Sequence, residues 1–164
     1  MCRPDSTRKH RAAEGGKGVD IAVAGLKDRE GLLQLLLAQF DEHNIAMAAA
    51  KLEQAIEGPL KDPSRGLFLL ALMDDEAVGV AYLTFTWTLE HGGKSAWLEE
   101  LYVRPEQRQQ GVGQAMLDAV CRMAKEHGCA AVDLEVEASQ SRAEHLYQRA
   151  GFRPHQRRRW VKVL

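Results

Sequence analysis

Cysteine is scarce and has no paired pattern. Only Cys2, Cys121 and Cys129 are present, and none falls at CxxC spacing. An odd count of this kind argues against a disulfide framework and against a zinc site. Cys121 falls within a helical pattern and Cys129 just before a strand pattern, so both read as buried or half-buried thiols, not nucleophiles. No stretch approaches about eighteen uninterrupted apolar residues, which excludes a membrane-spanning helix. The polar start has no apolar signal-peptide core, so the cytoplasm is the expected location. An excess of one charge is missing too: 22 Lys and Arg against 23 Asp and Glu leave a formal net charge of −1. Such a chain has no global pull toward nucleic acid or an anionic membrane. His127, His145 and His155 are unrelated in spacing, so no metal is expected. There is no internal repeat and no low-complexity core.

What is present is an ordinary globular composition, 45% hydrophobic and 27% charged over 164 residues. That length fits one domain. Residues 1–18 are polar, contain glycine and show no apolar period. They read as a disordered leader or an expression remnant. They carry Arg3, Arg8, Lys9, Arg11 and Lys17 against Asp5 and Glu14, a surplus of three that leaves the remainder near −4. Residues 19–164 are expected to be the single domain.

Val19 to Val23 is a short strand candidate. Asp28 is placed to cap a helix with Leu32, Leu33, Leu36, Leu37 and Phe40 on one face. A second helical pattern uses Ile45, Ala49, Leu52 and Ile56 and is expected to end at Gly58-Pro59. Leu67 to Met73 is an apolar strand, Asp74-Asp75-Glu76 a turn, and Ala77 to Leu89 a long alternating strand. A turn at His91 to Lys94 leads into a third strand, Ser95 to Val103, which completes an antiparallel meander. A helix follows, with Val112, Ala115, Met116, Ala119, Val120, Met123 and Ala124 as its buried face and Gly128 as its stop. Ala130 to Val136 reads as a strand. Ser139 is a candidate cap for a last helix carrying Ala143, Leu146, Tyr147 and Ala150. Phe152 to Pro154 and Arg158 to Val163 look like a closing pair of short strands. The order predicts a mixed α/β (α+β) domain.

Leu98 to Gln114, LEELYVRPEQRQQGVGQ, carries the most chemistry. Gly111 and Gly113 sit where a loop becomes a helix. Helix N-termini offer unpaired N–H groups and partial positive charge, and glycine lets an anion approach the backbone. With Arg108 just upstream this is a phosphate or pyrophosphate cradle. The plainer reading is that Gly111 only opens the helix. Rossmann and P-loop patterns do not fit, because position 116 is methionine and there is no GK[ST].

Arg108-Gln109-Gln110-Gly111-Val112-Gly113 resembles the [QR]xxGx[GA] loop of the GNAT acetyltransferases. The later stretch from Ala143 through Leu146-Tyr147 to Gly151-Phe152 resembles that superfamily's second signature, AxxLYxxxGF. The resemblance implies a GNAT fold: a mixed, mostly antiparallel sheet splayed at a cofactor cleft and flanked by about four helices. It implies acetyl-CoA as co-substrate, with its pyrophosphate on Gln109, Gln110, Gly111, Val112, Gly113 and Gln114 beside Arg108. The main chain of Leu101, Tyr102 and Val103 would pair with the pantetheine arm like an added strand. Gln140 stands where the family often has an asparagine that bonds the pantetheine. Tyr147 would act as general acid toward the leaving thiolate, or would pack its ring on the core.

Glu99 and Glu100 are the base candidates, since an acceptor ammonium must lose a proton before attack. Strand alternation sends them to opposite faces. WLEELYV resembles diamine and polyamine acetyltransferases, which favours Glu99, with Glu100 second; either could instead pair with a surface cation. Glu135 and Glu137, with Asp133, could line a pocket for a cationic amine or form a solvated strand face. Arg157 to Arg159 reads as a solvated edge. The expected activity is acetyl transfer to a small primary amine in a ternary complex; polyamine-like, amino-acid-like and antibiotic amines are the candidates. The other readings are a binding-only sensor of acetyl-CoA, an acetyltransferase of protein lysines or N-termini, an acetylating toxin of charged transfer RNA and an unrelated nucleotide-binding domain. No nucleic-acid or membrane partner is expected; the resemblance admits a homodimer.

Overall fold

The computed structural model describes residues 10–11, 18–137, 140–157 and 159–163. Among the described residues, six strands form one sheet in chain order: β1 (His10–Arg11), β2 (Asp20–Val23), β3 (Leu67–Met73), β4 (Glu76–Thr88), β5 (Gly93–Val103) and β6 (Val132–Leu134). All neighbours are antiparallel except β5 and β6, which run parallel. Among the described residues, four α-helices flank the sheet: α1 (Arg29–Glu42), α2 (Ala49–Lys61), α3 (Val112–Glu126) and α4 (Ser141–Arg149). Within the stretch expected to be disordered, His10 and Arg11 instead form β1, pairing with Ile21 and Asp20.

The sequence LFLLALM of β3 has no polar face because both of its faces are covered. Phe68 and Leu70 join Val80 and Tyr102 against Leu32, Leu35, Leu36, Leu52 and Ile56 of α1 and α2. Leu69, Ala71 and Met73 join Ala81, Leu83, Ala96 and Leu98 against Met116, Leu117 and Val120 of α3. The β3–β4 connection is a two-residue turn with positive φ at both Asp74 (51°) and Asp75 (64°). That backbone suits a tight hairpin, and a short polar side chain tolerates it.

Gly79 has a packing reason to be glycine. A Cβ there would lie 2.8 Å from Met116 Sδ and 2.9 Å from the Tyr102 carbonyl oxygen. Met116 can shift, but the backbone oxygen cannot do so without breaking register. Gly79→Ala should therefore destabilise the protein by about 1–3 kcal/mol, read as a lower denaturant midpoint.

Several expectations change in detail. On α1 the fully buried stripe is Leu32, Leu35, Leu36 and Gln39, while Leu33, Leu37 and Phe40 are half-buried. Asp28 stands at the N-cap, but its carboxylate accepts from the Gly25 N–H at 2.8 Å, outside the helix. Ile45 is exposed and precedes α2. α2 runs through Pro59 to Lys61, because a proline in the final turn forfeits only one bond and Asp62 N still donates to Gly58 O at 3.0 Å. Trp87 and Leu89 lie beyond the helix-covered part of the sheet and are exposed. β6 shrinks to three residues. No closing strands occur in residues 151–157 or 159–163. Ion pairs tether that segment instead, Arg157 to Glu90 and Arg159 to Glu135, and Trp160, Val161 and Val163 face outward. Ser139 and Arg158 lie outside the described residues.

Candidate active site

The loop after β5 has the backbone pattern of an anion cradle. Gln109 (φ 64°) and Gly111 (φ 81°) both take the left-handed conformation on either side of Gln110. Alternating handedness of this kind turns successive N–H groups toward one point. α3 then starts, and its first ladder bond runs from Ala115 N–H to the Gly111 carbonyl at 3.0 Å. The N–H groups of Val112, Gly113 and Gln114 thus head the helix at its positive end. A Cβ on Gly111 would meet no heavy atom within 4 Å, so the backbone there is open to a ligand. Gly113 differs: its Cβ would lie 3.4 Å from Leu146 Cδ2, so this glycine lets α4 seat against α3. The side chains of Gln110 and Gln114 are occupied locally, donating to Glu106 O (3.0 Å) and Asp118 Oδ1 (2.9 Å), which leaves their main chain to face the cradle.

Arg108 is held at three points. Its Nε donates to the Val103 carbonyl at 2.9 Å, one terminal nitrogen donates to Glu42 Oε2 at 2.6 Å, and its guanidinium lies 5.5 Å from the Tyr102 ring centre. The hydrogen bond from Arg108 holds the Glu42 carboxyl below its ordinary range and raises the guanidinium in turn. Arg108 thus ties the end of α1 to the end of β5 beside the cradle.

β5 opens an edge toward the same place. Its ladder with β6 covers Ala96, Trp97 and Leu98 only, while on the other side Glu100 to Val103 stay paired with Gly79 to Tyr82 of β4. Among the described residues, the β6-side edge of 100–103 therefore has no strand partner. This is the splay that an extended ligand arm could fill.

A β-bulge decides the two glutamates. Tyr82 pairs with Glu100 and Leu83 with Leu98, so Glu99 is the extra residue. Leu98 faces α3, whereas Tyr102 faces α1. Glu100 falls on the α1 face too, and accepts from Gln39 Nε2 at 2.6 Å. Unbroken alternation, which separates Glu99 from Glu100, does not hold here. Glu99 is exposed and close enough to Tyr82, on that same face, to raise its phenol, although burial is the larger cause. Glu100 is half-buried; desolvation, partly offset by the Gln39 bond and reinforced by the Glu99 charge, pushes its carboxyl to about 7. Across the splay, burial and then the Glu100 charge push Tyr147 to about 12. The ring of Tyr147 stands edge-on to Phe152 at 5.9 Å.

The other expected residues serve different contacts. Gln140 Nε2 lies 3.1 Å from His43 Nε2. Asp133 bonds His91 (2.8 Å) and Glu135 pairs with Arg159 (2.9 Å), so these two carboxylates already hold cationic or imidazole partners. Glu137 lies past the end of β6, so strand alternation no longer fixes its face. Cys121 and Cys129 are half-buried, and burial raises both thiols, as suits packing residues. The described residues contain no group of three or more metal-type ligands, and no helix among them is long and apolar enough to cross a membrane. Sequence reading missed Gln39, Glu42 and His43, which the C-terminal end of α1 delivers to Glu100, Arg108 and Gln140. The available signal was their spacing, which continues the stripe of Leu32, Leu35 and Leu36 on one helical face.

The glycine turn, the open strand edge and the half-buried Glu100 and Tyr147 make up the candidate site. The model of the acetyltransferase (GNAT) family matches residues 29–152, and the chain belongs to that family. It is 36% identical over 76 residues to thialysine N-epsilon-acetyltransferase of Sus scrofa, a match covering 46% of this chain and 42% of that protein. It is 35% identical over 107 residues to aminoglycoside N(6')-acetyltransferase type 1 of Klebsiella aerogenes, covering 63% of this chain and 68% of that enzyme. The chain thus spans under half the length of the thialysine acetyltransferases it matches. The fold is shared with aminoglycoside N-acetyltransferase AAC(6')-Iy, solved with CoA, at a TM-score of 0.78 and 19% identity over 93% of this chain and 99% of that one.

Proposed function

We propose that this protein transfers the acetyl group of acetyl-CoA to a primary amine of a small cationic molecule, by direct attack in a ternary complex. The observation that carries the reading is the placement of Glu100: the bulge turns this half-buried carboxyl to the α1 face against Gln39, where desolvation pushes it up to about 7. A base poised there works at neutral pH. The cradle fits the proposed co-substrate, because Gly111 is open where side chains would block approach and the β5 edge is unpaired where an arm would lie.

Acetyl-CoA supplies the activated thioester. The N–H groups from Gln109 to Gln114 bind its pyrophosphate, with Arg108 alongside, and the edge of Leu101 to Val103 orients its arm. Glu100, ionised, takes the proton from the acceptor ammonium, directly or through water. Glu99 adds negative potential at the mouth. Tyr147 keeps its proton throughout the working pH range. With a phenol at about 12 it acts toward the leaving sulfur as a hydrogen-bond donor before any full transfer. The relatives named for thialysine and aminoglycosides support a cationic small-molecule acceptor.

The test is thiol release from acetyl-CoA with a panel of diamines, thialysine, aminoglycosides and short peptides. Turnover of a small amine supports the reading. Tight acetyl-CoA binding with no turnover across the panel would leave a sensor module in its place. Tyr147→Phe should lower kcat about ten- to a hundredfold, the loss of one hydrogen bond to a charged group, with KM for acetyl-CoA nearly unchanged.

A further inference from the structure

Gln39 is an anomaly in α1. It is 4% exposed, in a stripe otherwise made of leucine, and nothing in the fold requires a polar side chain at that point. A buried amide costs stability unless both of its ends are satisfied. Here only one end is. Nε2 donates to Glu100 Oε2 at 2.6 Å, while Oε1 is buried with no partner among the described residues. An orphaned buried acceptor calls for a reason.

Glu100 provides one. A general base alternates between carboxylate, which only accepts hydrogen bonds, and carboxylic acid, which carries a donor. An amide can meet both forms: its NH2 end donates to the carboxylate, and after a rotation of the amide its oxygen accepts from the acid. A lysine would hold the base ionised and a leucine would leave it unsupported. We propose that Gln39 is the positioning residue of the base, fixing the Glu100 carboxyl in the cleft and serving it in both protonation states through its donor and its now-idle acceptor. This rests on Glu100 being the base.

The groups facing Glu100 come from four elements. Glu99 is its neighbour on β5, Tyr82 is its cross-strand partner on β4, Tyr147 approaches from α4, and Gln39 lies on α1 with His43 one turn further on. Glu99 and Tyr147 are an anion and a neutral phenol, so neither stabilises the ionised form as a cation would. Among the described residues, Gln39 is the contact that lowers the Glu100 carboxyl against burial. Removing it should move the titration upward.

The decisive experiment is the pH profile of kcat/KM for Gln39→Met, paired with a carbon-13 titration of the Glu100 carboxyl. The acid limb and the NMR midpoint should both rise by about one unit, the worth of one hydrogen bond to a charged group. That gives roughly a tenfold loss near pH 6 and little loss near pH 9. A uniform loss at every pH, with the NMR midpoint unmoved, would make Gln39 a packing residue and overturn the proposal. If Gln39→Met does not fold, Gln39→Glu keeps the shape. Its second carboxyl must share a proton with Glu100, so the limb should again rise, and an unmoved limb again overturns the idea. Glu100→Gln separates the two layers. Full activity in that variant sinks the base assignment itself, whereas loss of activity there with an unshifted Gln39→Met profile sinks only the positioning role.

Discussion

Glu100→Gln is expected to give a folded protein that still binds acetyl-CoA and turns over about a hundred- to ten-thousandfold more slowly, the usual cost of deleting a general base. Glu99→Gln should cost only a few-fold, because Glu99 is exposed and acts by potential alone. In the wild type, kcat/KM should fall as pH drops below about 7, where Glu100 takes up its proton. The same carboxyl has a stability signature of opposite sense. Its value in the fold lies above the ordinary 4.5, so the unfolded chain ionises first as pH rises. Stability is then lost between about 4.5 and about 7 and stays lost above that. Glu100→Gln removes the penalty. Its melting midpoint should exceed the wild type's at pH 8 and match it near pH 4. An inactive variant that is more stable at alkaline pH cannot be dismissed as misfolded. A variant that keeps full activity would remove Glu100 from the mechanism.

Gly111→Glu should weaken acetyl-CoA binding at least a hundredfold by isothermal titration while the protein stays folded. The two effects separate because of local geometry. A Cβ at Gly111 meets no heavy atom within 4 Å, so bulk is tolerated in the empty protein. The left-handed φ of 81° charges a side chain about 1–2 kcal/mol of strain, a modest drop in midpoint. On the proposed reading the carboxylate enters the turn whose N–H groups would hold the pyrophosphate, and it repels the ligand's own charge. Gly111→Ala shares the strain without the charge, so it should show most of the stability loss and little of the affinity loss. Equal affinity for wild type and Gly111→Glu would move the pyrophosphate away from this turn.

Much of this architecture was legible in the residues themselves. The strand LFLLALM, the Asp74-Asp75 turn, the amphipathic stripe of α3 and the glycine at its start follow from periods and backbone preferences acting over a few residues. Such local signals survive without knowledge of the rest of the chain. The family was likewise fixed by two local motifs, the glycine loop and the LY stretch before Gly151-Phe152.

Other features depended on contacts distant in sequence. Whether Phe152 to Pro154 and Arg158 to Val163 would pair as strands turned on a partner edge; β6 is only three residues long, and among the described residues Arg157 and Arg159 are tied by ion pairs to Glu90 and Glu135 instead. The bulge at Glu99 comes from registering β5 against β4, and one extra residue is enough to carry Glu100 from the α3 face to the α1 face. Gln39 interrupts a stripe of leucines, and its partner Glu100 is set by how α1 lies across the sheet. By itself the sequence determined the fold family and the glycine turn at the head of α3, because backbone conformation and helix polarity are local properties. Only the tertiary structure decided that β5 bulges at Glu99 and that Glu100 lies against Gln39, because register, burial and the approach of α1 are set between segments far apart in the chain.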